Sequence, residues 1–213
     1  MSMWKATAES PRMFESDFLD AFSRTHPAVV PALFVPAASA LAWYSVARAG
    51  VGVGATFCLF VAGVLSWSLV EYWLHRTFFH WLPTAPWGER MHFLVHGVHH
   101  TWPRDKYRLV MPPAVSISLF WIFLGLFTLL LGRTYVWGFH AGFTVGYMGY
   151  DLTHYYIHHF NPRSKYGLAL KKHHMLHHFK DHESRFGVSS KMWDYVFGTM
   201  PEPRSASPRA AGH

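Results

Sequence analysis

The stretch HGVHHTWPRDKYRLVMPPAVSISLFWIFLGLFTLLLG, residues 96–132, decides the fold. It places His96, His99 and His100 within five positions and passes through the basic loop of residues 103–108. From Leu109 to Gly132 it then runs without an Asp, Glu, Lys or Arg. A bilayer core asks for roughly 20 apolar residues of helix. The second half therefore reads as a membrane span, and the first half as imidazole placed just outside it.

Working outward, three more windows lack those charged residues: Pro27 to Ala47, Ala49 to Val70 and Thr134 to Tyr150, the last one short. The chain of 213 residues is 51% hydrophobic and 15% charged, which favours a bilayer over a dry soluble core. Buried helices of a soluble protein would need more polar surface between them than Arg48 or Gly132-Arg133 provides. The expectation is an all-α integral membrane fold, four transmembrane helices in two hairpins with a cytoplasmic His-rich helical cap. Residues 1–26 form an N-terminal cytoplasmic segment, 27–200 the membrane domain and 201–213 a disordered tail rich in Pro, Ser and Ala.

Net charge is +7, yet of the 19 Lys and Arg only Arg48 and Arg133 fall in the two tight connections. The rest lie before the first span, in the 74–108 loop and after Tyr150. By the positive-inside rule these regions and both termini are cytoplasmic. The basic charge is then topological and not a nucleic-acid footprint. Met1 to Thr25 is too polar for a signal peptide. The single cysteine, Cys58, supports neither a disulfide framework nor a thiolate metal site.

Of 17 histidines, ten fall into patterned groups: HRTFFH (His75, His80), HGVHH (His96, His99, His100), HYYIH (His154, His158) and HMLHH (His174, His177, His178). All lie at or just outside the same ends of the expected spans. On a helix, i, i+3 and i+4 share a face, so each HxxHH and the His154/His158 pair can point one way. His75 and His80, five apart, need a helix end or a distorted turn to converge. Imidazoles suit a transition metal better than calcium or magnesium. Ten are too many for one ion, whereas two ions at about five ligands each would use them. Isolated histidines such as His26 and His140 read as surface or satisfied core residues. Glu71, one turn before His75, and Asp151, three residues before His154, are the carboxylates expected to orient metal-bound rings.

The order and spacing of these groups resemble the fatty acid hydroxylase superfamily of membrane di-metal enzymes. EYWLHRTFFH, HFLVHGVHHTWPRDKYRLVMPP, GYDLTHYYIHH, LKKHHMLHHFK and FGVSSKMWDYVFGT look most like the fatty acid 2-hydroxylases, over about Leu69 to Thr199. RLVMPP is the most discriminating piece. The resemblance implies a non-haem di-iron centre, zinc being possible in purified samples. Its ligands would be His75, His80, His96, His99, His100, His154, His158, His174, His177 and His178. His173 beside His174 and His159 beside His158 leave the register ambiguous, and His92 and His182 stand outside the pattern.

The activity this resemblance implies is hydroxylation of a long acyl chain next to its carboxyl carbon, using O₂ and electrons. Eukaryotic members typically carry an N-terminal haem-binding domain that supplies those electrons. Here the expectation is a separate electron-donor protein, with a bacterial inner membrane as the site. Lys106 and Arg108 are candidates to hold the acyl head group, the alternative being that they sit at the lipid headgroup level. Pro112 and Pro113 suit a helix start. Trp73, Phe78, Phe79, Trp81, Trp102, Tyr150, Tyr155 and Tyr156 would form an interfacial belt or a tunnel wall. A sterol or carotenoid hydroxylase or desaturase would share the same histidines. A divalent-metal transporter would instead bind near the midplane, within broken helices or repeats.

Overall fold

A computed structural model describes residues 10–201. Of the tail expected over 201–213, all but Pro201 lies outside the described residues, as do residues 1–9 of the N-terminal segment. The described chain is helical: α1 (Asp17–Phe22), α2 (Val29–Ala47), α3 (Val53–Trp73), α4 (Gly88–His92), α5 (Val98–Thr101), α6 (Pro113–His159), α7 (Lys165–Phe179) and α8 (Met192–Val196). A π-helical stretch, Leu74–Phe79, extends α3, and a second, Phe93–Gly97, joins α4 to α5.

Three helices are long and apolar enough to cross a membrane: Val29–Ala47, Val53–Phe79 and Pro113–His159. The third, with 47 residues, would be about 70 Å long if straight, far more than a bilayer core of about 30 Å. It is not straight. Gly132 sits at φ 73° and ψ 168°, a backbone conformation that glycine adopts without a Cβ clash. Phe120 meets His140 at 4.6 Å between ring centroids, and Phe123 meets Phe143 at 4.8 Å. Twenty residues apart on one continuous helix would separate such rings by about 30 Å. The two limbs of α6 therefore fold back on each other at Gly132.

The second limb runs further than its charge-free window suggests, whereas the first starts four residues inside its own. α6 begins at Pro113, with Pro112 as its cap, and continues past Tyr150 because Asp151 is satisfied inside the bundle: Met111 N–H and the Tyr147 hydroxyl donate to it at 3.2 and 3.0 Å. α3 likewise runs beyond Val70 through buried Glu71 and Tyr72.

α3 and the second limb cross closely. A Cβ on Gly142 would run into the Phe60 carbonyl, and one on Gly63 into that of Phe139. Small residues that let helix backbones touch are the usual solution where lipid gives no hydrophobic drive between helices. Trp67 packs edge-on against Phe143 and Tyr147 at 5.1 and 5.3 Å, and Phe34 of α2 closes on Tyr147 at 5.1 Å. The outward faces are apolar too. Leu129 and Leu130 are 85% and 69% exposed, which suits a lipid-facing surface.

The N-terminal segment is fastened to the 103–108 loop. Asp20 receives the Arg108 guanidinium at 2.8 Å and that of Arg24 at 3.0 Å, and Thr25 N–H donates to the Tyr107 carbonyl at 2.6 Å.

Candidate metal centre

All ten patterned histidines converge, and they divide into two groups of five. One holds His75, His80, His96, His100 and His177; the other holds His99, His154, His158, His174 and His178. Within each group one nitrogen per ring lies within 4.8 Å of all the others.

Local backbone explains the convergence. A π turn bonds i to i+5, so the Leu74–Phe79 stretch turns His75 and His80 to one side, with ring centroids 5.1 Å apart. His96/His100, His154/His158 and His174/His178 are helical i,i+4 pairs. In each HxxHH the middle ring diverges: His99 joins the pairs on α6 and α7, and His177 joins those before α6. His173 faces the other way and meets Asp194 at 2.9 Å, so the register at HHMLHH rests on His174. His159 stacks beside Tyr155 and, like His92 and His182, lies outside both groups.

The rings crowd their Nε2 atoms together. His96 Nε2 lies 3.2 Å from that of His75 and 2.9 Å from that of His100, and His80 meets His177 at 3.1 Å. In the second group His174 faces His154 at 2.9 Å and His178 at 3.0 Å. Burial holds the rings neutral: His80 is pushed down to about 3 and His177 to about 4. The same burial, reinforced by neighbouring imidazoles, holds His96, His99, His100, His174 and His178 well below the ordinary value.

A neutral imidazole has one N–H and one lone pair. His75 donates Nδ1–H to the Phe186 carbonyl at 2.5 Å and His177 to that of Ser184 at 2.7 Å, so the Nε2 of each is a bare lone pair aimed inward. Nε2 of His99 and of His158 is buried without any partner among the described residues. Such a concentration of buried lone pairs fits a cation, and imidazole donors fit a transition metal.

The carboxylates act at one remove. Glu71 Oε1 accepts from the N–H groups of Val188 and Ser189 at 2.9 and 2.7 Å, while Asp151 accepts from Met111 and Tyr147. Neither takes an imidazole N–H, the role expected of them; for His75 and His177 the backbone carbonyls of Phe186 and Ser184 fill it. Glu71 holds the segment that carries those carbonyls. Asp194 holds it from the other side, accepting from Phe186 N–H, Gly187 N–H and the Thr199 hydroxyl at 2.8, 2.9 and 2.7 Å. Backbone acceptors leave no mark in a sequence, and only the buried Asp of MWDYVFGT hints at them.

Arg108, expected near a head group, has a nearly inaccessible side chain and is engaged by Asp20 and Asp105, whereas Lys106 is exposed. The aromatic residues divide. Trp73, Phe78, Trp81 and Tyr156 are exposed, as a belt requires, while Phe79 stacks on His96 at 5.2 Å and Tyr150 is buried beside His154. A small apolar cavity of about 20 Å³ lies between α2, α3 and both limbs of α6. Trp67 and Tyr147 line it, about two turns along their helices from His75 and His154.

Residues 60–199 match the fatty acid hydroxylase family. A dihydroceramide fatty acyl 2-hydroxylase of Arabidopsis thaliana is 38% identical over 95% of this chain and 85% of its own. The fatty acid 2-hydroxylase of Rattus norvegicus is 37% identical over 93% of this chain and 58% of its own. A solved structure of full-length scs7p, in which only the hydroxylase domain is visible, superposes with a TM-score of 0.83 at 38% identity. That match covers 89% of this chain and 72% of the other.

Proposed function

Because the chain belongs to the fatty acid hydroxylase family, we propose that it hydroxylates the 2-position of long-chain fatty acids or fatty acyl groups at a membrane di-iron centre. The observation that carries this reading is the pair of five-histidine groups gathered at one end of helices long and apolar enough to cross a membrane. The reaction takes the acyl chain, O₂, two electrons from a separate donor protein and two protons, and yields the 2-hydroxyacyl product and water.

The C–H bond at that carbon is inert to side-chain acids and bases, so the bound metals supply the oxidising chemistry when reduced and exposed to O₂. His75, His80, His96, His100 and His177 would hold one ion, and His99, His154, His158, His174 and His178 the other. The protein's own part is positioning. Carbonyl acceptors at Ser184 and Phe186 fix the tautomers of two rings, and burial keeps water from competing. The α2–α3 hairpin and the two limbs of α6 would make four crossings, with the histidines on the cytoplasmic side. The acyl tail would lie among the apolar helices and its polar end near the histidines, with Lys106 an exposed cation on that side.

The test is the total fatty acid profile, by gas chromatography and mass spectrometry after complete hydrolysis, of a host lacking 2-hydroxy fatty acids. The intact chain, co-expressed with a redox partner, gives new 2-hydroxy acids and His177→Ala gives none. Absence of product from intact, metal-loaded protein supplied with electrons would overturn the reading.

A further inference from the structure

His140 lines the cavity at the end away from the metal centre. It is only 1% exposed, and neither ring nitrogen has a hydrogen-bond partner. The Phe120 carbonyl lies beside the ring as a weak polar contact, and Phe120, Phe127 and Phe143 surround it at 4.6, 5.9 and 6.0 Å between centroids. The other polar groups of the lining differ. The hydroxyls of Thr144 and Ser116 donate to the carbonyls of His140 and Pro113, and that of Tyr147 to Asp151. Only the Trp67 indole N–H, on the cavity wall, is also left without a partner.

An ionisable side chain left bare among hydrocarbon within a membrane helix is costly, and such residues mark functional sites by default. His140 and the histidine pair at His154 share one helical limb, so fourteen residues place them about 21 Å apart along its axis. That is the reach of an extended long-chain acyl group whose second carbon lies at the metals.

We infer that His140 is the chain-length determinant of this enzyme. The inference rests on the acyl reading above. A chain that ends before His140 leaves room for a water on the imidazole, which satisfies it. A chain that runs past covers the ring with methylene groups and strips that water, leaving a buried donor and acceptor unpaired. The pocket therefore rejects the longer chain by chemistry and not by bulk alone.

The experiment feeds an even-numbered series of saturated fatty acids, from medium to very long chains, to the expression host. It reads the 2-hydroxy products of the intact chain, His140→Leu and His140→Gln. Leu removes the polarity at similar volume and shifts the product distribution to longer chains, raising the ratio of chains beyond the wild-type limit by about fivefold or more. Gln keeps a donor and an acceptor and retains the wild-type distribution. The ratio is internal to each sample, so low expression leaves it readable. Purified His140→Leu folds, because it gives up no more than the weak contact with the Phe120 carbonyl; failure to fold overturns the inference. An unchanged distribution in His140→Leu also overturns it. If the intact chain forms no 2-hydroxy acid at all, the acyl reading fails first and separately.

Discussion

Glu71 and Ser189, 118 residues apart, are bound through both the Ser189 backbone N–H, at 2.7 Å, and its hydroxyl. The contact ties the end of α3 to the segment whose carbonyls at Ser184 and Phe186 orient His177 and His75. A carboxylate that touches no imidazole thereby governs two of them.

Glu71→Gln removes the charge shared by three donors: its amide oxygen can keep the Val188 and Ser189 N–H groups, but an NH₂ then faces the Ser189 hydroxyl where an acceptor stood. The segment loosens, and metal retention against a chelator falls by about tenfold or more. Metal content per protein after dialysis, by mass spectrometry, measures this. Retention equal to wild type would show that the segment is held without Glu71.

Asp151→Asn is expected to act differently, because its partners are Met111, just before α6, and Tyr147, one turn back on its own limb. It costs about 1–3 kcal/mol of stability. The melting temperature in detergent drops while the metal content of the folded fraction stays near wild type.

His173→Gln and His174→Gln separate the two possible registers. The first breaks the bond to Asp194 and lowers thermal stability with metal retained in the folded fraction. The second removes a shared ring of the second group and lowers metal content. The reverse result would move the ligand register by one residue.

Asp20 provides a pH dependence. The Met13 N–H, with help from the Arg24 and Arg108 guanidinium groups, holds its carboxyl at about 2, below its ordinary value of 3.8. A depressed acid stabilises the fold fully above the unfolded value and loses that contribution as pH falls through the folded one. Attachment of the N-terminal segment is therefore complete at neutral pH and weakens between about 4 and 2. Hydrogen exchange at residues 13–25 follows it. Asp20→Asn is expected to show the acid-like exchange already at pH 7, and protection equal to wild type there would refute the assignment.

Gly142→Val pushes side-chain atoms into the Phe60 backbone and separates α3 from α6. A loss of at least about 1–3 kcal/mol is expected. Melting in detergent reads it, with Gly149→Ala as the control, since a Cβ there meets nothing.

Much of this was legible in the sequence, because its strongest signals are local. Charge-free windows marked the apolar helices, and i,i+4 spacing put His154 with His158. The five-residue spacing of His75 and His80 called for a distorted turn, which the π-helical stretch supplies. The division of the ten rings was not legible, because spacing shows which side chains share a helix face but not which neighbouring helix that face meets. Nor were the carbonyls of Ser184 and Phe186, which any residue could supply. His140 looked like an ordinary isolated histidine, and only its unpartnered burial beside a cavity distinguishes it.

The crossing of His99 and His177 between the two groups makes the centre a reciprocal exchange. Residues up to Thr101 provide four rings of the first group and lend one to the second; residues from α6 onward provide four of the second and lend one to the first. Neither half of the chain owns a finished set. While the protein is being made, the first four rings wait for a fifth that arrives only with α7, so a complete set of five forms only after α7 has docked against the earlier helices. Cutting the chain between α5 and α6 would dismantle two sites at once, and the pieces could rebuild them only by finding each other.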